Sequence, residues 1–267
     1  VDRAQHNYWR FLEEDSPYST PSEREKYGNV ILNIYKEADR IIGEFYKIKG
    51  DSLFFVMSDH GGGPRPTLKF NTNAWLKEEG FLALKGKVGR VRSKIGGVYK
   101  AIKQRFPYQE YVFRNLPTKL KDLLTRLDSG AEAEIWSVNW SLTKAYRFPM
   151  YFPVEGIIIN LRGRQPKGIV PPEKYEEVRE ELIEKLTDVI DPISCSKVVE
   201  KVLKREEVYR GPFVKNAPDI LLFLNPKYEG GARLDFFITP IDNDEYERLS
   251  GLHRPYGILL AEGKIIE

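Results

Sequence analysis

The chain has 267 residues, 41% of them hydrophobic and 30% charged, enough for one large globular domain or a domain carrying a sizeable insert. Its formal charge of +3 excludes a chain-wide attraction for nucleic acid, and no apolar run approaches the roughly eighteen residues of a membrane span. Plentiful Lys and Glu with scarce Gln point to a thermophilic source. No basic–apolar–small leader is visible, so the reading favours the cytoplasm. The sequence opens at Val1 inside what reads as a motif, and any N-terminal signal is expected upstream of it. The single cysteine, Cys195, lacks a disulfide partner and reads as a structural thiol.

Residues 1–15 open with a short loop or helix. Between 22 and 49, Val30, Ile31, Ile34, Ala38, Ile41, Ile42 and Phe45 recur at helical spacing; Pro21 and Ser22 suit the helix start and Gly50 its end. The apolar run 52–58 predicts a buried strand. It delivers Asp59-His60-Gly61-Gly62-Gly63 at its carboxyl end, where open α/β sheets bind ligands. From 67 to 134 the character shifts. Residues 73–84 form a short amphipathic piece, and residues 85–105 hold eight Lys or Arg and no acid, with Val88, Val91, Ile95, Tyr99, Ile102 and Phe106 in helical rhythm. Strands are predicted again at 157–160, 219–224 and 256–261. Between them 173–190 predicts a helix, preceded by Pro171-Pro172 and striped by Val178, Leu182, Leu186 and Val189. The alternation predicts an α/β fold with a mainly parallel sheet sandwiched by helices and a helical insert or cap. The expected division is 1–66 as the metal-binding part of the core, 67–134 as a basic, mostly helical insert, and 135–267 as the remainder of the core.

The three histidines carry the chemistry. His6 follows Asp2 by four residues, His60 follows Asp59 directly, and His253 lies in the loop Ser250-Gly251-Leu252-His253-Arg254-Pro255 before the last strand. All sit on loops or element ends and none within an apolar stripe. Mixed imidazole and carboxylate donors suit zinc and similar divalent ions. Taken singly, each has a plainer reading: a surface hydrogen bond for Asp2 and His6, turn chemistry for Asp59-His60 before glycines. Their joint placement is what favours a metal site.

Val56-Met57-Ser58-Asp59-His60-Gly61 resembles the Ser-Asp-His-Gly signature of the alkaline phosphatase superfamily, in its type I phosphodiesterase/nucleotide pyrophosphatase branch. Asp2-Arg3-Ala4-Gln5-His6 is similar to that branch's Asp-x-x-x-His element, and 251–258 to its C-terminal metal-histidine loop. The stretches 140–146, 159–163 and 217–220 also look like microbial members. The resemblance implies an alkaline-phosphatase-like fold and two divalent ions, zinc first and manganese as the alternative. Asp2, His6 and His253 would hold one ion, and Asp59 and His60 would help to hold the other. It further implies a Thr or Ser nucleophile upstream of Val1, and a phosphate-ester or nucleotide small molecule as substrate. Two such ions clamp the attacking and leaving oxygens of an in-line displacement. Thr67 and Thr72 lie downstream of the Asp-His-Gly loop and out of family order. The chain alone is therefore expected to be an incomplete site with little or no activity.

Arg65, Lys144 and Arg254 lie near these motifs and are candidates to contact a substrate phosphate; for each, a solvated surface charge or a hydrogen-bond partner to a metal ligand is the competing reading. Gly61, Gly62 and Gly63 permit a tight backbone path and lack the Lys-Ser/Thr ending of a phosphate-binding Walker loop. The basic stretch reads first as a solvated face, then as a cap that draws anions, then as a nucleic-acid or membrane dock. Rivals within the same chemistry are a phosphomonoesterase, a phosphoglycerate-mutase-like enzyme and a sulfatase. Outside it stand a non-catalytic metal-binding fragment or degenerate homologue, and a nucleic-acid adaptor built on the basic insert.

Overall fold

The computed structural model describes residues 1–14, 16–85 and 137–263. The chain opens with helix α1 (Asp2–Tyr8), a 3₁₀ turn at Trp9–Phe11, α2 (Pro21–Tyr27) and α3 (Val30–Ile48). Thr20 caps α2 in a reciprocal box: its hydroxyl accepts from the Glu23 N–H while the Glu23 carboxylate accepts from the Thr20 N–H. The single helix expected over 22–49 is therefore two. The break falls at Gly28, where a Cβ would come within 2.6 Å of the Arg24 carbonyl oxygen and 3.2 Å of that of Phe11.

Strands β1 (Phe54–Met57), β2 (Gly61–Pro64) and β3 (Leu68–Phe70) follow, then helix α4 (Thr72–Glu78). Of the expected insert, residues 86–134 lie outside the described residues, and with them all but the first residue of the basic stretch. Residues 67–85 are described, and Phe70, Trp75, Leu76, Phe81 and Leu82 sit in the main hydrophobic cluster. Beyond it come β4 (Ala145–Phe148), β5 (Val154–Ile159), α5 (Tyr175–Thr187), β6 (Val199–Lys204), α6 (Arg205–Val208), β7 (Ile220–Leu224), β8 (Tyr228–Gly230) and β9 (Ile238–Pro240). The described chain ends with α7 (Asn243–Arg248), β10 (Gly251–Arg254) and β11 (Leu259–Glu262).

Helices and sheets are mixed, as an α/β reading requires, but the expected mainly parallel sheet is not found among the described residues. The largest sheet, in order β4-β5-β7-β6, is antiparallel throughout, and only β3–β8 pair in parallel. The physical reason is connection length. The link of five residues from β4 to β5 can close only an antiparallel pair, because a parallel return needs a crossover of a dozen or more. Helix α5 turns Val178, Leu182 and Leu186 inward, the stripe read from the sequence, and packs against β6 and β5. The core behind it holds Ile157, Ile159, Ile220, Leu222 and Tyr228, all fully buried.

A smaller part of the fold positions the histidines. There β1 pairs antiparallel with β11, and β2 with β10, with α1 laid across β10 and β2. The run predicted as a buried strand is not buried here: along β1, partly covered residues alternate with exposed Phe55 and Met57. Cys195, read as a structural thiol, is instead exposed, in a left-handed turn at φ 53°. No helix among the described residues is long and apolar enough to cross a membrane.

Candidate metal centre

Glycine makes this centre possible. A Cβ at Gly62 of β2 would lie 2.3 Å from the Gln5 side-chain oxygen, and one at Gly251 of β10 would lie 2.3 Å from the Gln5 carbonyl oxygen. The first contact is with the movable end of a side chain; the second is with backbone, so it is the bare backbone of Gly251 that lets α1 settle this close to the β2–β10 ribbon. The helix is then pinned at its carboxyl end. Ser250 donates its N–H to the His6 carbonyl at 2.7 Å, and the Arg10 N–H donates to the Ser250 hydroxyl at 3.1 Å.

On that seat Asp2 and His6 stand one helical turn apart on α1, His60 on the loop between β1 and β2, and His253 on β10 opposite Gly62. The Asp2 carboxylate oxygen Oδ1 lies 3.2 Å from His6 Nε2, 3.5 Å from His253 Nε2 and 4.0 Å from His60 Nε2. His6 and His253 face one another, Nε2 to Nε2, at 3.1 Å, although 247 residues separate them in sequence. The His60 ring stacks on His253 with centroids 3.7 Å apart. Asp59 is 3.6 Å from His60 Nε2, with its carboxylate 90% exposed at the rim.

The outer ring nitrogens set the tautomers. A carbonyl oxygen only accepts, so His6 Nδ1, 2.6 Å from the Gly251 oxygen, carries the proton, and so does His60 Nδ1, 2.9 Å from the Gly61 oxygen. Each ring thereby turns an Nε2 lone pair inward. Burial, then the neighbouring His60 and His6, hold His253 below the ordinary histidine pKa of 6.5, so it is neutral at pH 7, the state that ligation requires. The ligand atoms of Asp2, His60 and His253 all lie within 4.8 Å of one another. Inward lone pairs around a carboxylate oxygen are the donor chemistry of zinc and related divalent ions, so these residues fit such an ion.

The candidate phosphate contacts are placed differently. Arg254 adjoins His253, lies over the Phe152 ring at 5.0 Å and donates to the His253 and Pro64 carbonyls. Burial depresses its guanidinium pKa. Arg65 is buried, with Nε, Nη1 and Nη2 all engaged by Glu229, Glu245 and the carbonyls of Glu245 and Leu249. Its geometry is that of a strut joining β2 to β8 and α7. Lys144 precedes β4 in the larger sheet, its ammonium 6.0 Å from the Phe81 ring centroid. Sequence reasoning did not single out Gln5, Ser250 or the carbonyls of Gly61 and Gly251. The one usable sign was a glycine two residues before His253 and another directly after His60.

The described chain mixes helices with sheets and gathers imidazoles and a carboxylate at one point. A family model described as type I phosphodiesterase / nucleotide pyrophosphatase matches residues 1–232, and the chain belongs to that family, within the alkaline phosphatase superfamily. No curated protein and no solved structure matches it. The family hydrolyses phosphate esters, is typically metal-dependent, and takes small-molecule phosphate-ester or nucleotide substrates. His253 lies beyond the matched residues, so its place in the cluster rests on the geometry alone.

Proposed function

We propose that this chain carries the metal-binding part of a phosphodiesterase or nucleotide pyrophosphatase that works through two divalent ions, with a Thr or Ser nucleophile supplied by polypeptide upstream of Val1. The observation that carries this reading is the meeting of His6 and His253, Nε2 to Nε2, beside Asp2 and His60. Asp2, His6 and His253 would hold one ion, and Asp59 with His60 the other. The ions, zinc in the first instance and manganese as the alternative, supply Lewis-acid neutralisation of phosphoryl charge. The chain's own residues prepare that task. The carbonyls of Gly251 and Gly61 hold His6 and His60 in the ligating tautomer. Burial keeps His253 neutral, and Asp2 sets an anionic oxygen among three rings. Of the basic candidates, Arg254 is the one favoured to meet a substrate phosphate, because it neighbours His253; Arg65 and Lys144 are favoured for support. Residues 86–134 are proposed as an insert that shapes leaving-group selectivity.

The test combines metal analysis with turnover. The purified chain is expected to retain about one zinc per molecule, and His253→Ala or Asp2→Ala to lose it. Hydrolysis of bis(4-nitrophenyl) phosphate should stay at background whatever zinc is added. Zinc-dependent turnover by this chain would overturn the upstream nucleophile. Failure to take up any divalent ion would overturn the metal reading itself.

A further inference from the structure

In a continuing α-helix the Arg10 N–H would donate to the carbonyl of His6, four residues back. At the end of α1 that rung is occupied by Ser250, a fully buried residue from the far end of the chain. Its hydroxyl accepts from the Arg10 N–H at 3.1 Å and donates to the His6 carbonyl at 3.4 Å, while its own N–H donates to the same carbonyl at 2.7 Å. The Ser250 carbonyl accepts from the N–H of Arg65, directly after β2, at 2.8 Å. The next residue, Gly251, takes the His6 ring through Nδ1 at 2.6 Å. Two consecutive residues thus hold His6 at its backbone and at its ring.

The spacing they protect has little slack. His6 Nε2 stands 3.1 Å from His253 Nε2 and 3.2 Å from Asp2 Oδ1, and the third side of that triangle is 3.5 Å. Donors at the corners of a tetrahedron with bonds of about 2.0–2.1 Å lie about 3.3 Å apart. Asp2 and His6 ride on α1 and His253 on β10, so the triangle is set by how α1 sits on β10. A displacement of about 0.5 Å is enough to spoil such a set. Ser250 is itself no ligand, because its hydroxyl is buried and engaged by backbone groups on both sides.

We propose that Ser250 is a positioning residue of the metal centre, which by entering the α1 ladder between His6 and Arg10 fixes the His6 imidazole against Gly251 and at ligating distance from Asp2 and His253. The inference rests on the metal reading of these three side chains. It acts through His6, and that route is what the experiment isolates.

Zinc affinity, measured by competition with a chromogenic chelator, should fall about ten- to a hundredfold in Ser250→Ala and recover in Ser250→Thr, which restores the hydroxyl. In a His6→Ala background Ser250→Ala should add little further loss, because the side chain it positions is gone. Leu182→Ala, a cavity in the core under α5, is the control: it should lower Tm and leave the zinc affinity of the folded chain unchanged. A second readout needs no ion. At about pH 9, above the ordinary histidine range, ring 15N shifts of the zinc-free chain should show His6 protonated on Nδ1 alone, and Ser250→Ala should mix in the Nε2 tautomer. Ser250→Cys, nearly the same shape but a weak hydrogen-bonding group, gives this second readout should the alanine variant fold poorly. A wild-type tautomer in these variants would overturn the proposal, and so would equal losses of zinc affinity from Ser250→Ala with and without His6. A wild type that takes up no zinc, yet whose His6 tautomer loosens in Ser250→Ala, keeps the positioning role and sinks the metal reading. Zinc bound equally tightly by wild type and Ser250→Ala does the reverse.

Discussion

Arg65 illustrates how residue-level chemistry separates support from catalysis. Its guanidinium meets Glu229 through two parallel bonds, Nε at 2.7 Å and Nη2 at 2.6 Å, with both side chains buried. Burial alone would depress the guanidinium pKa, but the hydrogen bond and charge of Glu229, with those of Glu245, more than reverse this. Removing one partner of such a pair strands the other's charge. Arg65→Met is therefore expected to cost about 3–5 kcal/mol, read as a fall in the urea midpoint, with Lys69, which pairs with Glu229 at 3.8 Å, left beside that carboxylate. The double variant Arg65→Met/Glu229→Leu should recover most of the loss. A loss confined to the single variant at the level of a surface pair, well under about 1 kcal/mol, would return Arg65 to the list of ligand contacts. Sequence could mark Arg65 as a cation near a glycine loop. Its partners, 164 and 180 residues further on, were beyond any local pattern. The histidines stood out for the opposite reason: few residue types can ligate a metal, each stood in a short motif, and the fold brings the three rings together.

At the scale of elements, α7 is tied to β2 and β3 by one carboxylate. Glu245 accepts from the Lys69 ammonium at 2.7 Å and from Arg65 at 2.8 Å. Its partial burial raises the pKa, yet the bond and charge of Lys69 and those of Arg65 prevail and hold it below the ordinary 4.5. A depressed folded-state pKa means stability that is present above the unfolded value and is lost as pH falls through the folded one. Unfolding free energy should thus decline on acidification from about pH 5 to pH 3, and Glu245→Gln should flatten that decline while lowering stability at pH 7. An unchanged acid limb in the variant would remove Glu245 from the account. Elements were legible where one face is buried, as in α5 with Val178, Leu182 and Leu186. They were misread where a distant contact decides, as at Gly28, where a Cβ would come within 3.2 Å of the Phe11 carbonyl oxygen. Strand direction was not legible for a further reason. Apolar runs report burial and say nothing about which way the neighbouring strand runs, so β5 and β7 looked alike in a parallel or an antiparallel sheet.

For the whole molecule, the candidate donors span the chain. α1 contributes Asp2 and His6, the loop after β1 contributes Asp59 and His60, and β10 contributes His253, so a shared ion would fasten residue 2 to residue 253. In an unfolded chain these groups are scattered and bind weakly, and an ion that prefers the folded state stabilises it by mass action, about 2.7 kcal/mol at a hundredfold excess over Kd. For a chain of this length that corresponds to a shift of about 5–10 °C in Tm. Chelation of a zinc-loaded sample should lower Tm by about that amount, and re-addition of zinc should restore it. The control lies in His253→Ala. Without the β10 donor the tie between the two chain regions is cut, so the variant should melt at the chelated temperature and ignore the chelator. A metal-loaded wild type whose Tm does not move on chelation would mean that these side chains converge without holding an ion together in the folded state. The close approach of His6 and His253 would then be packing around a shared proton.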